Sequence, residues 1–195
     1  MARTSHVKRS TSETQIEVTL NLDGTGVQDL QTPVPFLDHM LSQLARHGYF
    51  DLTVKAQGDT QIDSHHTVED VGIAVGQAFK EALGDKKGIR RFAEASVPLN
   101  EALAQCIIDI SGRAFFVFNL ELPKAKLGEF DVELVPEFFQ AFSANSGITL
   151  HFNSPYWNNL HHITEALFKS FARALDSACT LDSRSGEVPS TKGTL

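Results

Sequence analysis

Two copies of one ligand motif stand about half a chain apart: His65-His66-Thr67-Val68-Glu69 and His161-His162-Ile163-Thr164-Glu165. Each reads as the first turn of a helix. On a helix the first His and the Glu, at i and i+4, share one face, where an imidazole and a carboxylate can hold one metal ion. The second His lies about 100° further round the axis, so the two neighbouring rings cannot easily serve the same ion. Divergent pairs on two helices point to two metals, each drawing ligands from both copies. The flanks repeat as well. Phe36-Leu37-Asp38-His39-Met40-Leu41, Gly48 and Phe50-Asp51-Leu52-Thr53-Val54 precede the first copy, and Leu134-Val135-Pro136-Glu137-Phe138-Phe139, Gly147 and Ile148-Thr149-Leu150-His151-Phe152 precede the second. In that alignment His39 faces Glu137, two further ligand types.

Eight candidate ligands follow, four per metal. Pseudo-symmetry suggests His39, His66, His161 and Glu165 at one ion, with His65, Glu69, Glu137 and His162 at the other. Nitrogen and oxygen donors without thiolate suit manganese, iron, nickel or zinc, and open positions on a six-coordinate ion would admit substrate. A closed zinc site that only staples the halves is the structural alternative. Arg91 and Arg113, with Ser190-Thr191-Lys192-Gly193, supply guanidinium, ammonium and hydroxyl groups suited to an anion. Glu13 by itself reads as an exposed carboxylate, and His47 as a cation at a helix C-terminus.

The elements that must position these groups repeat in order. A strand over 15–22, a turn at Asp23-Gly24-Thr25-Gly26 and a strand over 27–31 read as a hairpin. A helix over 36–47 follows, capped at Gly48, then a strand over 51–57 and an amphipathic helix ending near Leu83. A charged connector, 84–92, leads to strands over 103–110 and 114–122, a helix over 132–145, a strand over 148–153 and a helix over 163–175. The expectation is an α+β protein of two fused half-repeats, 1–92 and 93–195, each a small sheet with helices on one face. After Leu181 the polar, Gly- and Pro-punctuated tail reads as a disordered end.

Composition sets the remaining bounds. The chain has 195 residues, 42% of them hydrophobic, enough for a shared core, and no apolar run long enough to span a bilayer. Residues 1–12 lack the apolar stretch of a signal peptide. Two cysteines, Cys106 and Cys179, without CxxC spacing suit a reducing cytoplasm, and a net charge of -7 argues against nucleic-acid or membrane-surface binding.

At this point the chain resembles the imidazoleglycerol-phosphate dehydratase family over nearly its whole length. The resemblance rests on Thr11-Ser12-Glu13-Thr14, Pro35-Phe36-Leu37-Asp38-His39-Met40-Leu41, Arg46-His47-Gly48, Asp63-Ser64-His65-His66-Thr67-Val68-Glu69-Asp70, Gly88-Ile89-Arg90-Arg91-Phe92, Ser111-Gly112-Arg113, Leu160-His161-His162-Ile163-Thr164-Glu165-Ala166 and Pro189-Ser190-Thr191-Lys192-Gly193. It implies tandem half-domains of the ribosomal protein S5 domain 2-like type, two Mn2+ ions that bind the substrate imidazolate, and a cage-like 24-mer with sites between subunits. The implied reaction is dehydration of D-erythro-imidazole glycerol phosphate to imidazole acetol phosphate in histidine biosynthesis. Arg91, Arg113, Ser190 and Lys192 would bind the phosphate. Glu13, His39 and His47 would contact substrate, with Glu13, His47 and Glu165 as catalytic groups. Glu137 departs from the His that some members carry, Asn100 from a frequent Asp, and Pro155-Tyr156-Trp157-Asn158-Asn159 from a Gly-containing loop. A dinuclear metallohydrolase and a non-catalytic, metal-stapled cage use the same ligand types.

Overall fold

The computed structural model describes residues 2–184 and 186–195; Met1, in the polar N-terminal segment, and Ser185, in the tail, lie outside the described residues. The first run of elements is β1 (Thr4–Ser10), β2 (Thr14–Asn21), β3 (Gln28–Gln31), α1 (Pro35–Gly48), β4 (Asp51–Gly58) and α2 (His65–Leu83). The second is β5 (Phe92–Leu99), β6 (Ala102–Asp109), β7 (Phe115–Asn119), a two-residue pair β8 (Lys126–Leu127) and β9 (Phe130–Asp131), then α3 (Leu134–Ser146), β10 (Thr149–Tyr156) and α4 (Leu160–Cys179). The sheets have the same order, β1-β2-β4-β3 and β5-β6-β10-β7. In each, the short third strand runs parallel to the last strand, as a strand–helix–strand crossover requires, while the other pairs are antiparallel. This is the α+β duplication the motifs implied, with β8–β9 the one element pair lacking a counterpart among the described residues.

Alternation decides which face each sheet buries. Ile16, Val18 and Leu20 on β2, and Ala104, Cys106 and Ile108 on β6, point inward and are buried. The helices lie on those inner faces: α2 on β1, β2 and β4, and α4 on β5 and β6. They also meet across the duplication, α2 against α3 and α1 against α4, so one continuous core joins both halves. Phe138, Phe139, Phe142, Phe152, Phe168 and Phe171 fill the second half of it, each buried ring contributing roughly 2 kcal/mol. The α2–α3 crossing is close. A Cβ at Gly72 would come within 2.7 Å of the Phe138 carbonyl, and one at Gly76 within 2.7 Å of the Phe142 carbonyl.

Several sequence expectations are corrected. β3 does not form a hairpin with β2: the Asp51 carboxylate accepts the Thr25 and Val27 N–H groups and draws the chain across β4, where β3 pairs in parallel. Strands β1 and β5, both at sheet edges, escaped the alternation test: β1 turns polar Ser5 and Arg9 inward, and β5 exposes apolar Phe92 and Pro98. Gly48 is not the left-handed cap of α1; Tyr49 takes that conformation (φ 56°), and Gly48 leaves room for the Phe50 ring and the Ala172 carbonyl. At the matching place in the second half, Gly147 is the left-handed cap (φ 71°), its N–H bonded to the Ser143 carbonyl. The tail is not structureless: Asp182 N–H reaches the Gly88 carbonyl (2.7 Å), Gly88 N–H the Glu187 carbonyl (2.9 Å), and Leu181 bridges to Ile89. Among the described residues no helix is long and apolar enough to cross a membrane.

Candidate metal centre

The start of α4 is set by Asn159, whose side-chain oxygen accepts the backbone N–H groups of His161 (2.9 Å) and His162 (3.1 Å). That cap places the second ligand motif in the first helical turn. His161 Nε2 then lies 3.1 Å from Glu165 Oε2, and α1, packed against α4, brings His39 Nε2 to 3.2 Å from the same oxygen. The three ligand atoms all fall within 4.8 Å of one another. Phe36 stands edge-on to both rings. Burial alone would raise the Glu165 pKa, but the Lys169 ammonium on its other oxygen, with His39 and His161, brings it down to about 2. At neutral pH Glu165 is a carboxylate ready to ligate.

The start of α2 is looser. Asp63 accepts the His65 N–H (2.7 Å), and His65 Nε2 stands 4.0 Å from Glu69 Oε2. Glu137, on α3, lines the same groove of about 280 Å3 as Ser64 and His65. Ser64 also lines a neighbouring groove of about 480 Å3 with His39, His161, Phe36 and, from β8–β9, Leu127 and Phe130. The two ligand groups thus share one wall.

Within one chain His66 and His162 do not join these groups. His66 Nδ1 lies 3.0 Å from Asp59 Oδ2 and 3.8 Å from Glu13 Oε2, a second group whose ligand atoms fit within 4.8 Å. The hydrogen bond to Asp59 raises the His66 pKa. His162 Nδ1 lies 2.9 Å from Glu101 Oε2. The helical step of about 100° separates each of these rings from its neighbour. Each histidine helix therefore presents a His and a Glu on one side, with His39 or Glu137 nearby from the other half, and one further imidazole on another side.

Glu13 is held by its turn. Thr11 Oγ1 accepts the N–H groups of Glu13 (3.1 Å) and Thr14 (3.0 Å), and the buried Asp70 accepts from Arg9 Nε (2.8 Å) and from the Thr14 hydroxyl. His47 stands two helical turns from His39, about 12 Å by helix rise, with its Nε2 3.1 Å from Gln43 Oε1. Burial, then the positive charges of Lys169 and Arg173, lower its pKa.

The anion candidates gather at the other end of α4. Arg91 takes a left-handed conformation (φ 72°), and its N–H binds the Ala178 carbonyl. Its guanidinium grips Asp109 with Nε (2.7 Å) and Nη2 (3.2 Å), and Nη1 donates to the Pro189 carbonyl (2.8 Å). This clamp brings Ser190 and Lys192 back toward the β6–β7 turn; Ser190 Oγ accepts the Lys192 N–H, and a Cβ at Gly112 would meet the Leu195 carbonyl carbon at 3.0 Å. Arg113 leaves that turn, its N–H on Ser111 Oγ. From His161 to Ala178 α4 rises about 25 Å. The metal candidates and the anion candidates of one chain are thus at opposite ends of one helix.

Asp59, Glu101, Asn159 and Asp109 escaped the sequence reading. Glu101 had a signal: the turn Leu99-Asn100-Glu101-Ala102 between β5 and β6 corresponds in the repeat to Thr11-Ser12-Glu13-Thr14 between β1 and β2.

Comparison with known proteins identifies the family. Residues 32–175 match the family model described as imidazoleglycerol-phosphate dehydratase. Imidazoleglycerol-phosphate dehydratases of Pelobacter propionicus and Geobacter sulfurreducens are each 58% identical over 195 residues, covering all of both chains. The solved structure of the Staphylococcus aureus imidazoleglycerol-phosphate dehydratase superposes with a TM-score of 0.83 at 38% identity, over 92% of this chain and 99% of that one. That of the Pyrococcus furiosus protein, in complex with (S)-C348, gives 0.84 at 32% identity, over 97% and 100%. On this full-length identity and shared fold, the chain belongs to the imidazoleglycerol-phosphate dehydratase family, hydro-lyases of histidine biosynthesis.

Proposed function

We propose that the chain dehydrates D-erythro-imidazole glycerol phosphate to imidazole acetol phosphate at manganese sites shared between copies of itself. The observation that carries this reading is the group His39, His161 and Glu165, with an ionised carboxylate and two imidazoles at ligand spacing beside a groove of about 480 Å3. Such a mixed nitrogen and oxygen donor set fits manganese and leaves coordination positions for a substrate ring. His39, His161 and Glu165 would hold one ion and His65, Glu69 and Glu137 the other. His66 and His162, turned away from their own chain's groups, would complete sites in neighbouring copies. Bound there, manganese would supply Lewis-acid stabilisation of negative charge on the imidazole ring.

The chain's own groups do the rest. Arg91 keeps an N–H on each terminal nitrogen beyond those spent on Asp109 and Pro189. With Arg113, Ser190 and Lys192 it would grip the phosphate and orient the glycerol chain, so that binding energy becomes placement. Glu13, beside His66, would exchange a proton with the substrate carbon or the departing hydroxyl, a role worth about 10²–10⁴ in rate. His47, kept toward its neutral form, is the second candidate for proton transfer.

The α4 geometry supports a shared site. A small phosphorylated imidazole cannot reach along the roughly 25 Å between His161 and Ala178, so the phosphate grip of one copy would serve the metal groups of another. A cage-like 24-mer, as the family resemblance implies, would provide that arrangement. The test is turnover of imidazole glycerol phosphate by metal-stripped protein with and without added manganese. Manganese-dependent formation of imidazole acetol phosphate is expected. Stoichiometric manganese uptake with no dehydration would overturn the reading.

A further inference from the structure

The two imidazoles left outside the ligand groups share one device. His66 Nδ1 lies 3.0 and 3.2 Å from the two oxygens of Asp59, and His162 Nδ1 lies 2.9 Å from Glu101 Oε2. The two carboxylates come from different places: Asp59 just after β4, Glu101 from the β5–β6 turn. Glu101 corresponds in chain order to Glu13, whose Oε2 also approaches His66 Nδ1 but only to 3.8 Å, so at His66 it is Asp59 that makes the hydrogen bond Glu101 makes at His162. An ionised carboxylate only accepts hydrogen bonds, so each Nδ1 must carry the proton. In the neutral ring the lone pair then sits on Nε2, the nitrogen turned away from the chain's own carboxylate.

We propose that Asp59 and Glu101 are positioning residues that hold His66 and His162 in the tautomer with hydrogen on Nδ1, presenting Nε2 for metal ligation. This rests on the metal reading above and adds residues to it.

The two carboxylates differ in a way that makes the proposal testable. Glu101 has a second commitment, since its Oε1 accepts the Asn159 backbone N–H at 2.7 Å. In Glu101→Gln the amide oxygen must stay on that N–H, which turns the NH2 group toward His162. The ring must then accept at Nδ1 and carry its hydrogen on Nε2, where it blocks ligation. Asp59 offers both oxygens to His66, so Asp59→Asn can present its amide oxygen and keep the original tautomer.

The readout is the 15N spectrum of histidine-labelled, metal-free assembled protein, with His162 and His66 assigned from their loss in His162→Asn and His66→Asn. It is paired with manganese binding measured by equilibrium dialysis. Glu101→Gln is expected to move the hydrogen of His162 to Nε2 and weaken one class of manganese site by about 10–100-fold. Asp59→Asn is expected to leave the hydrogen of His66 on Nδ1. A His162 tautomer unchanged in Glu101→Gln would overturn the proposal, as would an inverted tautomer with unchanged manganese affinity. Wild-type protein that takes up no manganese would instead overturn the metal reading, and with it the purpose assigned to both carboxylates.

Discussion

Glu165 divides its two oxygens between different partners: Oε2 meets His39 and His161, while Oε1 meets the Lys169 ammonium. With its pKa at about 2 in the folded chain against an ordinary value near 4.3, it contributes stability that is present above that ordinary value and lost as pH falls toward 2. Lys169→Ala should therefore lower the urea midpoint of metal-free protein at pH 7, and the difference from wild type should shrink by pH 2.5. Glu13→Gln should leave assembly intact and cut turnover by at least about 10²; near-normal turnover would exclude Glu13 as the proton carrier. The pairs His65/Glu69 and His161/Glu165 were legible in the sequence because a helical i, i+4 spacing puts both side chains on one face. The carboxylates beside His66 and His162 were not. Nothing local to His162 announces Glu101, which arrives from a turn 61 residues earlier.

Among the elements, the α2–α3 crossing depends most on what is missing from a side chain. Gly76 stands against the Phe142 carbonyl with no room for a methyl group. Gly76→Ala should destabilise the protein by about 1–3 kcal/mol through overpacking, despite alanine's better helix propensity; a higher melting temperature would refute that close contact. Helix positions and sheet interiors could be read from the chain because their burial is periodic. The hairpin over 15–31 was misread for a definite reason. Asp23-Gly24-Thr25-Gly26 does turn the chain, but where the chain goes next is decided by Asp51, a residue whose side chain meets the backbone of Thr25 and Val27 across the sheet. Edge strand β1 was missed because its inward face carries the polar Ser5 and Arg9, and β5 because its outward face carries the apolar Phe92 and Pro98, so neither alternates cleanly.

At the scale of the molecule, the tail is held by backbone bonds to Gly88 and, further along, by one side chain. Arg91 binds Asp109 and the Pro189 carbonyl together, and composition cannot reveal a clamp formed from a distant guanidinium and a backbone oxygen. Arg113→Ala should raise KM several-fold with smaller loss of kcat, as expected for a phosphate contact that survives in both ground and transition state. An unchanged KM would remove Arg113 from the anion site.

The roughly 25 Å of α4 between His161 and Ala178 has one more consequence, for genetics rather than chemistry. With sites shared between copies as proposed, a chain defective at His161 and another defective at Lys192 would each carry the half that the other lacks. Each variant alone should be inactive. Dissociated together and reassembled, they should recover measurable turnover, because some sites would draw both good halves from different chains. Two defects placed in the same chain and mixed with wild type should behave differently, diluting activity without restoring any. Allelic complementation would thus follow from the length of a helix.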